Sequence, residues 1–90
     1  MEGEELDALV ARVPEGWSRQ VVDGRAWGLT RVEHGGGRSA TIAGEELGGT
    51  GRMDANVWRT SAGTVLRPCE MPEEQVLAVL RALPEDHRAD

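Results

Sequence analysis

The sequence lacks several residue types, and each absence limits what the chain can do. It has no lysine, phenylalanine or tyrosine, and its single cysteine is Cys69. One cysteine cannot form a disulfide within the chain, which fits a reducing compartment. No apolar run approaches the roughly 20 residues of a membrane-spanning helix, and the acidic residues 1–5 do not resemble a secretion signal. We therefore expect a soluble, cytoplasmic protein without a membrane partner.

Ninety residues are enough for one small domain with a thin core. Its charges are unevenly distributed. Residues 1–15 hold five acids and one arginine, residues 70–90 hold six acids and two arginines, and residues 16–69 hold five acids and seven arginines. The net charge of −6 disfavours extended binding to nucleic acid, because no dense basic footprint is present.

Apolar residues recur at helical spacing near both ends of the chain. Leu6, Leu9, Val10 and Val13 form one stripe and predict a helix over residues 2–13. The most periodic segment, 72–83, predicts a second helix with Pro72 at its first position and acids in its first turn. Each helix would bury its apolar stripe against a sheet.

Short strands separated by glycine-rich turns are predicted at 17–22, 25–34, 38–43, 55–60 and 64–67. Asp23-Gly24 suits a two-residue hairpin turn, whereas residues 44–51 could hold one helical turn. Residues 84–90 are expected to be a frayed tail. The sequence predicts one α+β domain over residues 1–90: an antiparallel five-stranded sheet with an N-terminal and a C-terminal helix, in the order α-β-β-β-β-β-α.

Two kinds of residue could carry chemistry. Cys69 follows Arg67 and precedes a predicted helix, and both features favour a reactive thiol. However, no second cysteine can resolve an oxidised thiol, and we expect a structural role for Cys69. His34 and His87 lie at no metal-ligand spacing from Cys69 or the acids. We therefore predict no metal, no cofactor and no catalytic residue.

The three tryptophans lie on different predicted strands, and each strand also carries arginine. Arginine and tryptophan are enriched at the centres of protein interfaces and on platforms that stack bases. Since two helices can cover only one face of the sheet, the other face is the candidate binding surface. Which strand residues lie on that face is left open, because a bulge at Gly28 could change the phase. The candidate binding residues are Trp17, Arg19, Arg25, Trp27, Arg31, Trp58 and Arg59.

The runs at 46–50, 55–57 and 67–72, the last reading Arg-Pro-Cys-Glu-Met-Pro, resemble a family of short, largely uncharacterised proteins of high-GC bacteria. The resemblance covers about residues 15–83, and some family members are labelled peptide methionine sulfoxide reductases. Such reductases place their cysteine in a Gly-Cys-Phe-Trp context or use paired Cys-x-x-Cys motifs, and this chain has neither. No catalytic residue is therefore carried over. The strands followed by a helix also look like small coactivator domains that bind single strands.

These observations favour a small, non-enzymatic accessory protein, a monomer or weak homodimer that binds another protein through an Arg/Trp-bearing sheet face. Two alternatives remain open. One is a thiol-dependent redox enzyme that resembles methionine sulfoxide reductases and uses Cys69. The other is a protein that binds single-stranded nucleic acid through the sheet.

Overall fold

The computed structural model describes residues 3–69 and 71–84 of the chain. They form a small α+β domain of the predicted order. Along the chain, one helix precedes and one helix follows the five strands of an antiparallel sheet. The elements are α1 (Gly3–Ala11), β1 (Gly16–Val22), β2 (Arg25–His34), β3 (Ser39–Glu46), β4 (Arg52–Thr60), β5 (Gly63–Pro68) and α2 (Glu73–Arg81). None of the helices in the described part of the chain is long and apolar enough to cross a membrane.

The sheet is a meander in which each strand pairs with the next along the chain, in the order β1-β2-β3-β4-β5. The β1–β2 turn consists of Asp23 and Gly24 alone, with φ angles of 51° and 79°. Positive φ at both positions gives the turn the twist that a two-residue hairpin needs. The turn places Val22 opposite Arg25, and pairing then continues to Gly16 opposite Arg31.

Both helices pack on the same face of the sheet, here called the helix-covered face. The buried apolar side chains lie between the helices and this face. The helices and the loops next to them contribute Leu6, Leu9, Val10, Val13, Val76, Leu77, Val79, Leu80 and Leu83, and the sheet contributes Val22, Trp27, Leu29, Ala40, Ile42, Met53, Ala55, Val57 and Leu66. The apolar stripes that predicted the two helices thus form half of a single core.

Two local predictions differ from the structure. Strand β3 continues to Glu46, where a helical turn was considered, because Glu45 and Glu46 still pair with Gly28 and Trp27 of β2. Pro72 precedes α2 as its cap, with φ −65° and ψ 142°, instead of occupying the first helical position. Of the predicted tail, residues 85–90 lie outside the described part of the chain.

Candidate interaction surface

The face of the sheet opposite the helices, here called the open face, carries a mixed set of side chains. Because successive residues of a strand point to opposite sides, the register assigns every strand residue to one face. Those assigned to the open face include Trp17, Arg19, Val21, Gly28, Thr30, Val32, His34, Ser39, Thr41, Ala43, Glu45, Arg52, Asp54, Asn56, Trp58, Val65 and Arg67.

The large apolar side chains of the open face are solvent-exposed. Trp17 is 65% exposed and Trp58 is 50% exposed. Three valines, Val21, Val32 and Val65, are also exposed on this face. Isolated exposed apolar residues are ordinary on protein surfaces, but Trp58 and Val65 are directly paired across β4 and β5, and such adjacent exposed apolar side chains are a feature of interaction sites.

Trp17 lies flat against β2 because residue 28 is glycine. A Cβ at Gly28 would stand 3.1 Å from Nε1 of the Trp17 indole, closer than side chains normally approach. Beside the indole is a groove of about 220 Å³, with Thr30 and Ala43 among its lining residues and Arg52 and Asp54 towards β4. The groove is large enough for one apolar side chain of a partner, with charged groups at its rim.

The arginines of the two faces differ in their ion pairing. Arg19, Arg52 and Arg67 on the open face have no carboxylate within 4.0 Å among the described residues. The face also holds two acids, Glu45 and Asp54, so its arginines outnumber its acids by one. Guanidinium groups without a carboxylate partner remain free to bind carboxylates from another molecule.

On the helix-covered face, arginines are bound to acids within the protein. Arg59 contacts both oxygens of Glu33, with Nη1–Oε1 at 2.7 Å and Nη2–Oε2 at 3.3 Å. Arg31 also pairs with Glu33, and its Nε donates to the Val13 carbonyl at 2.6 Å. Hydrogen bonds from Arg59, and then from Arg31, hold the pKa of Glu33 below its ordinary value, although partial burial opposes the shift. This cluster joins the sheet to the end of α1.

The structure divides the seven candidate binding residues between the two faces. Trp17, Arg19 and Trp58 are on the open face, with Trp58 three strands away from the other two, whereas Arg25, Trp27, Arg31 and Arg59 are on the helix-covered face. Arg31 and Arg59 belong to the Glu33 cluster, and Trp27 is 7% exposed within the core.

Arg25 and Trp27 instead line a cavity of about 380 Å³ between the β1–β2 hairpin and α2. Arg25 there reaches Glu46, with Nη1–Oε2 at 3.3 Å. The cavity lies on the other side of the sheet from the exposed tryptophans. The two regions are therefore separate.

Cys69 ends a chain of polar contacts that crosses the open face. His34 Nε2 lies 3.1 Å from Thr41 Oγ1, which donates to Asn56 Oδ1 at 3.2 Å. Asn56 Nδ2 lies 4.0 Å from the exposed Cys69 sulfur. The histidine and the thiol are thus separated by two side chains and do not form a nucleophile–base pair. Within residues 3–69 and 71–84, no group of histidine, cysteine and acidic residues could hold a metal ion.

Sequence reasoning missed several residues that complete the open face: Val21, Val32, Arg52, Val65 and Arg67. The signal for two of them, Val21 and Val32, was the Asp23-Gly24 turn. A two-residue turn pairs odd-numbered residues of β1 with even-numbered residues of β2, as in Trp17 opposite Thr30. Val21 and Val32 therefore share a face with Trp17, whereas Trp27 lies on the other.

Comparison of the chain with protein-family models, with curated proteins and with solved structures found no match. The resemblance to short proteins of high-GC bacteria therefore stays a prediction.

Proposed function

We propose that this protein is a small, non-enzymatic binding protein whose open face docks against another protein. The observation that carries the proposal is the exposure of Trp17 and Trp58 on the face that neither helix covers. Tryptophan provides a large contact area with few rotatable bonds and is enriched among residues that dominate binding energy. Burial of the two indoles, with Val32 near Trp17 and Val65 beside Trp58, would give the complex two apolar contact regions.

The charges of the open face indicate what kind of protein would bind. Arg19 and Arg52 lie near Trp17 and its groove, Arg67 lies near Trp58, and all three lack carboxylate partners among the described residues. A partner segment that combines an apolar side chain with nearby aspartate or glutamate would complement this arrangement. The apolar side chain would enter the groove beside Trp17, and the carboxylates would pair with the arginines.

The test compares two arginines on opposite sides of the molecule. Arg67 lies on the open face and Arg81 is exposed at the end of α2, so alanine at either position removes one surface charge. We expect the wild type and Arg81→Ala to retain the same partner from a lysate of the native host. Arg67→Ala and Trp58→Ala should lose it while unfolding at the wild-type denaturant concentration. Loss with Arg81→Ala and retention with Trp58→Ala would contradict the proposal.

Binding of single-stranded nucleic acid is the second candidate, because exposed tryptophans beside arginines can stack bases. Glu45 and Asp54 lie on the same face and would repel phosphates. Titration with a labelled oligothymidine separates the two candidates. Binding that quenches tryptophan fluorescence and weakens steeply with salt would favour nucleic acid, and the absence of binding would favour a protein partner.

A further inference from the structure

Strand β1 is the free edge of the sheet. It runs over seven residues, Gly16–Val22, and among the described strands it pairs only with β2. An unpaired edge presents a row of backbone N–H and C=O groups that can pair with another strand. The two edges of this sheet differ in whether those groups are accessible.

The outward-pointing backbone groups of β1 belong to Trp17, Arg19 and Val21. In a hairpin with a two-residue turn, the flanking residues Val22 and Arg25 form the closing hydrogen-bonded pair, and the pairs alternate from there. Val21 and Ala26 are therefore a non-hydrogen-bonded pair. The Ala26 carbonyl confirms the alternation, because it accepts from the Leu47 N–H at 2.8 Å, away from β1.

The opposite edge, β5, is blocked. Its outward groups belong to Thr64, Leu66 and Pro68, and proline has no N–H to donate. Gly3 of α1 lies so close that a Cβ there would stand 3.3 Å from the Thr64 nitrogen. Among the described residues, strand β1 has neither device: no proline occurs in it, and the helices pack mainly on β4 and β5. Natural sheets usually protect such an edge.

We propose that β1 pairs with β1 of a second copy of this chain, antiparallel and across a twofold axis at Ser18. This register places Trp17 of each copy opposite Arg19 of the other on the open face. Arginine then stacks on the indole twice per dimer, a favourable cation–π contact. A register centred on Arg19 would instead place two like charges directly opposite each other.

Ser18 gives independent support for this register. Its hydroxyl is buried on the helix-covered face and has no hydrogen-bond partner in the structure. A buried polar atom without a partner is rare in native proteins and calls for an explanation. In the proposed register the two Ser18 residues form a non-hydrogen-bonded pair, in which side chains are closest. A rotation of each Ser18 about χ1 would bring the two hydroxyls, which are buried within the single chain, within hydrogen-bonding distance of each other.

The dimer is closed, because each copy has one accessible edge and uses it. Two five-stranded sheets become one continuous sheet, and the two open faces lie side by side with Trp17 near the centre. This inference is independent of the proposed function, since the edge can pair whether or not the open face binds another protein. A dimer would present two copies of that face to one partner.

Solution mass tests the pairing. We expect light scattering to show wild-type protein approaching twice the 9.7 kDa of one chain as its concentration rises. Arg19→Pro removes only an outward N–H, which edge strands tolerate, and should leave a monomer at all concentrations. The matched variant Arg19→Ala keeps the N–H and should weaken dimerisation by about 5- to 30-fold, as expected for two lost cation–π contacts.

Hydrogen exchange on the wild type is a second test of the pairing, and its result does not depend on whether the proline variant folds. The Trp17 and Arg19 amides should become protected as the protein concentration rises. A wild type that stays monomeric, with both amides unprotected, would overturn the proposal. A dimer that Arg19→Pro leaves intact would overturn it as well.

Disulfide trapping tests the register, in a Cys69→Ala background. Ser18→Cys should form a disulfide between copies on mild oxidation, because Cα atoms of a non-hydrogen-bonded pair lie about 4.5 Å apart, within the range of roughly 4.4–6.8 Å that disulfides span. Gln20→Cys, on the same side of β1, should stay reduced because the two copies of residue 20 would lie more than about 13 Å apart. Trapping of Gln20→Cys in preference to Ser18→Cys would overturn the register.

Discussion

Arginine has two roles in this protein, and the absence of lysine is informative for both. Arg59 contacts two oxygens of Glu33 and also the Gly37 carbonyl, at 3.1 Å. The planar, forked guanidinium can make these contacts together, whereas a lysine ammonium is a single point charge. On the open face the same fork has no carboxylate to bind among the residues that the structure describes, so Arg19, Arg52 and Arg67 are available to a partner.

The Glu33 cluster makes stability depend on pH. Because the pKa of Glu33 is lowered in the folded state, its contribution is present above the pKa of an unfolded glutamate, about 4.3. The contribution is lost as the pH falls through the lower folded value. Glu33→Gln should cost about 1–3 kcal/mol at neutral pH, as expected for hydrogen bonds to a charged group.

Urea unfolding of wild type and Glu33→Gln across acidic and neutral pH measures this effect. We expect the difference between the two proteins to shrink as the solution becomes more acidic. A difference that stays constant with pH would mean that the carboxylate does not stabilise the cluster.

The three tryptophans should report two environments. In the wild type, iodide should quench most of the fluorescence, because Trp17 and Trp58 are at least half exposed. A variant with phenylalanine at both positions retains only Trp27, whose emission should be blue-shifted and protected from iodide. Strong quenching of that variant would show that Trp27 is not in the core.

Cys69 should be dispensable. Its side chain is exposed, so Cys69→Ser should change the free energy of unfolding by no more than about 0.5 kcal/mol. Binding of the partner should also be unchanged. If the wild type reduced methionine sulfoxide with a thiol donor and Cys69→Ser did not, the non-enzymatic account would be wrong.

At the scale of elements, helix α2 carries the second apolar stripe of the sequence and packs it against the sheet. Leu80 is fully buried in the core, whereas its neighbour Arg81 is exposed. Leu80→Ala should therefore destabilise the protein by about 2–5 kcal/mol, and Arg81→Ala by about 0.5 kcal/mol or less. Chemical denaturation of the two variants gives the comparison. Equal, small losses would show that α2 does not pack on the sheet.

The two helices and the β1–β2 hairpin could be predicted because their signals are local. Helical periodicity identifies α1 and α2, and Asp23-Gly24 identifies the turn. The extension of β3 through Gly44 could not be predicted, because it depends on a distant contact. A Cβ at Gly44 would collide with Leu29 Cδ2, so glycine at this position lets β3 pass beside the Leu29 side chain.

The candidate surface was predictable only in part for a similar reason. The two-residue turn implies which residues of β1 and β2 share a face, so the separation of Trp17 from Trp27 follows from the sequence. The contacts that hold Arg31 and Arg59 do not follow from it. Both depend on α1 and the residues after it, since Arg31 binds the Val13 carbonyl and Arg59 approaches Asp7 at 4.0 Å.

At the scale of the whole molecule, the exposed acids of the helices and the exposed tryptophans of the sheet are on opposite sides. The helices carry the exposed acids Glu4, Glu5, Glu73 and Glu74. The open face carries both exposed tryptophans and three arginines that pair with no acid in the described part of the chain. An acidic partner would be repelled from the helices and attracted to the open face. This asymmetry orients a complex as well as stabilising it.

Site-specific photocrosslinking in the native host tests the central claim most directly. A photoreactive amino acid at Val32, exposed in the middle of the open face, is compared with the same group at Glu74 on the solvent side of α2. We expect the Val32 position to form an adduct with one specific protein other than a second copy of this chain, and the Glu74 position to form none. The same adduct from Glu74, with none from Val32, would place the partner on the helices and contradict the account.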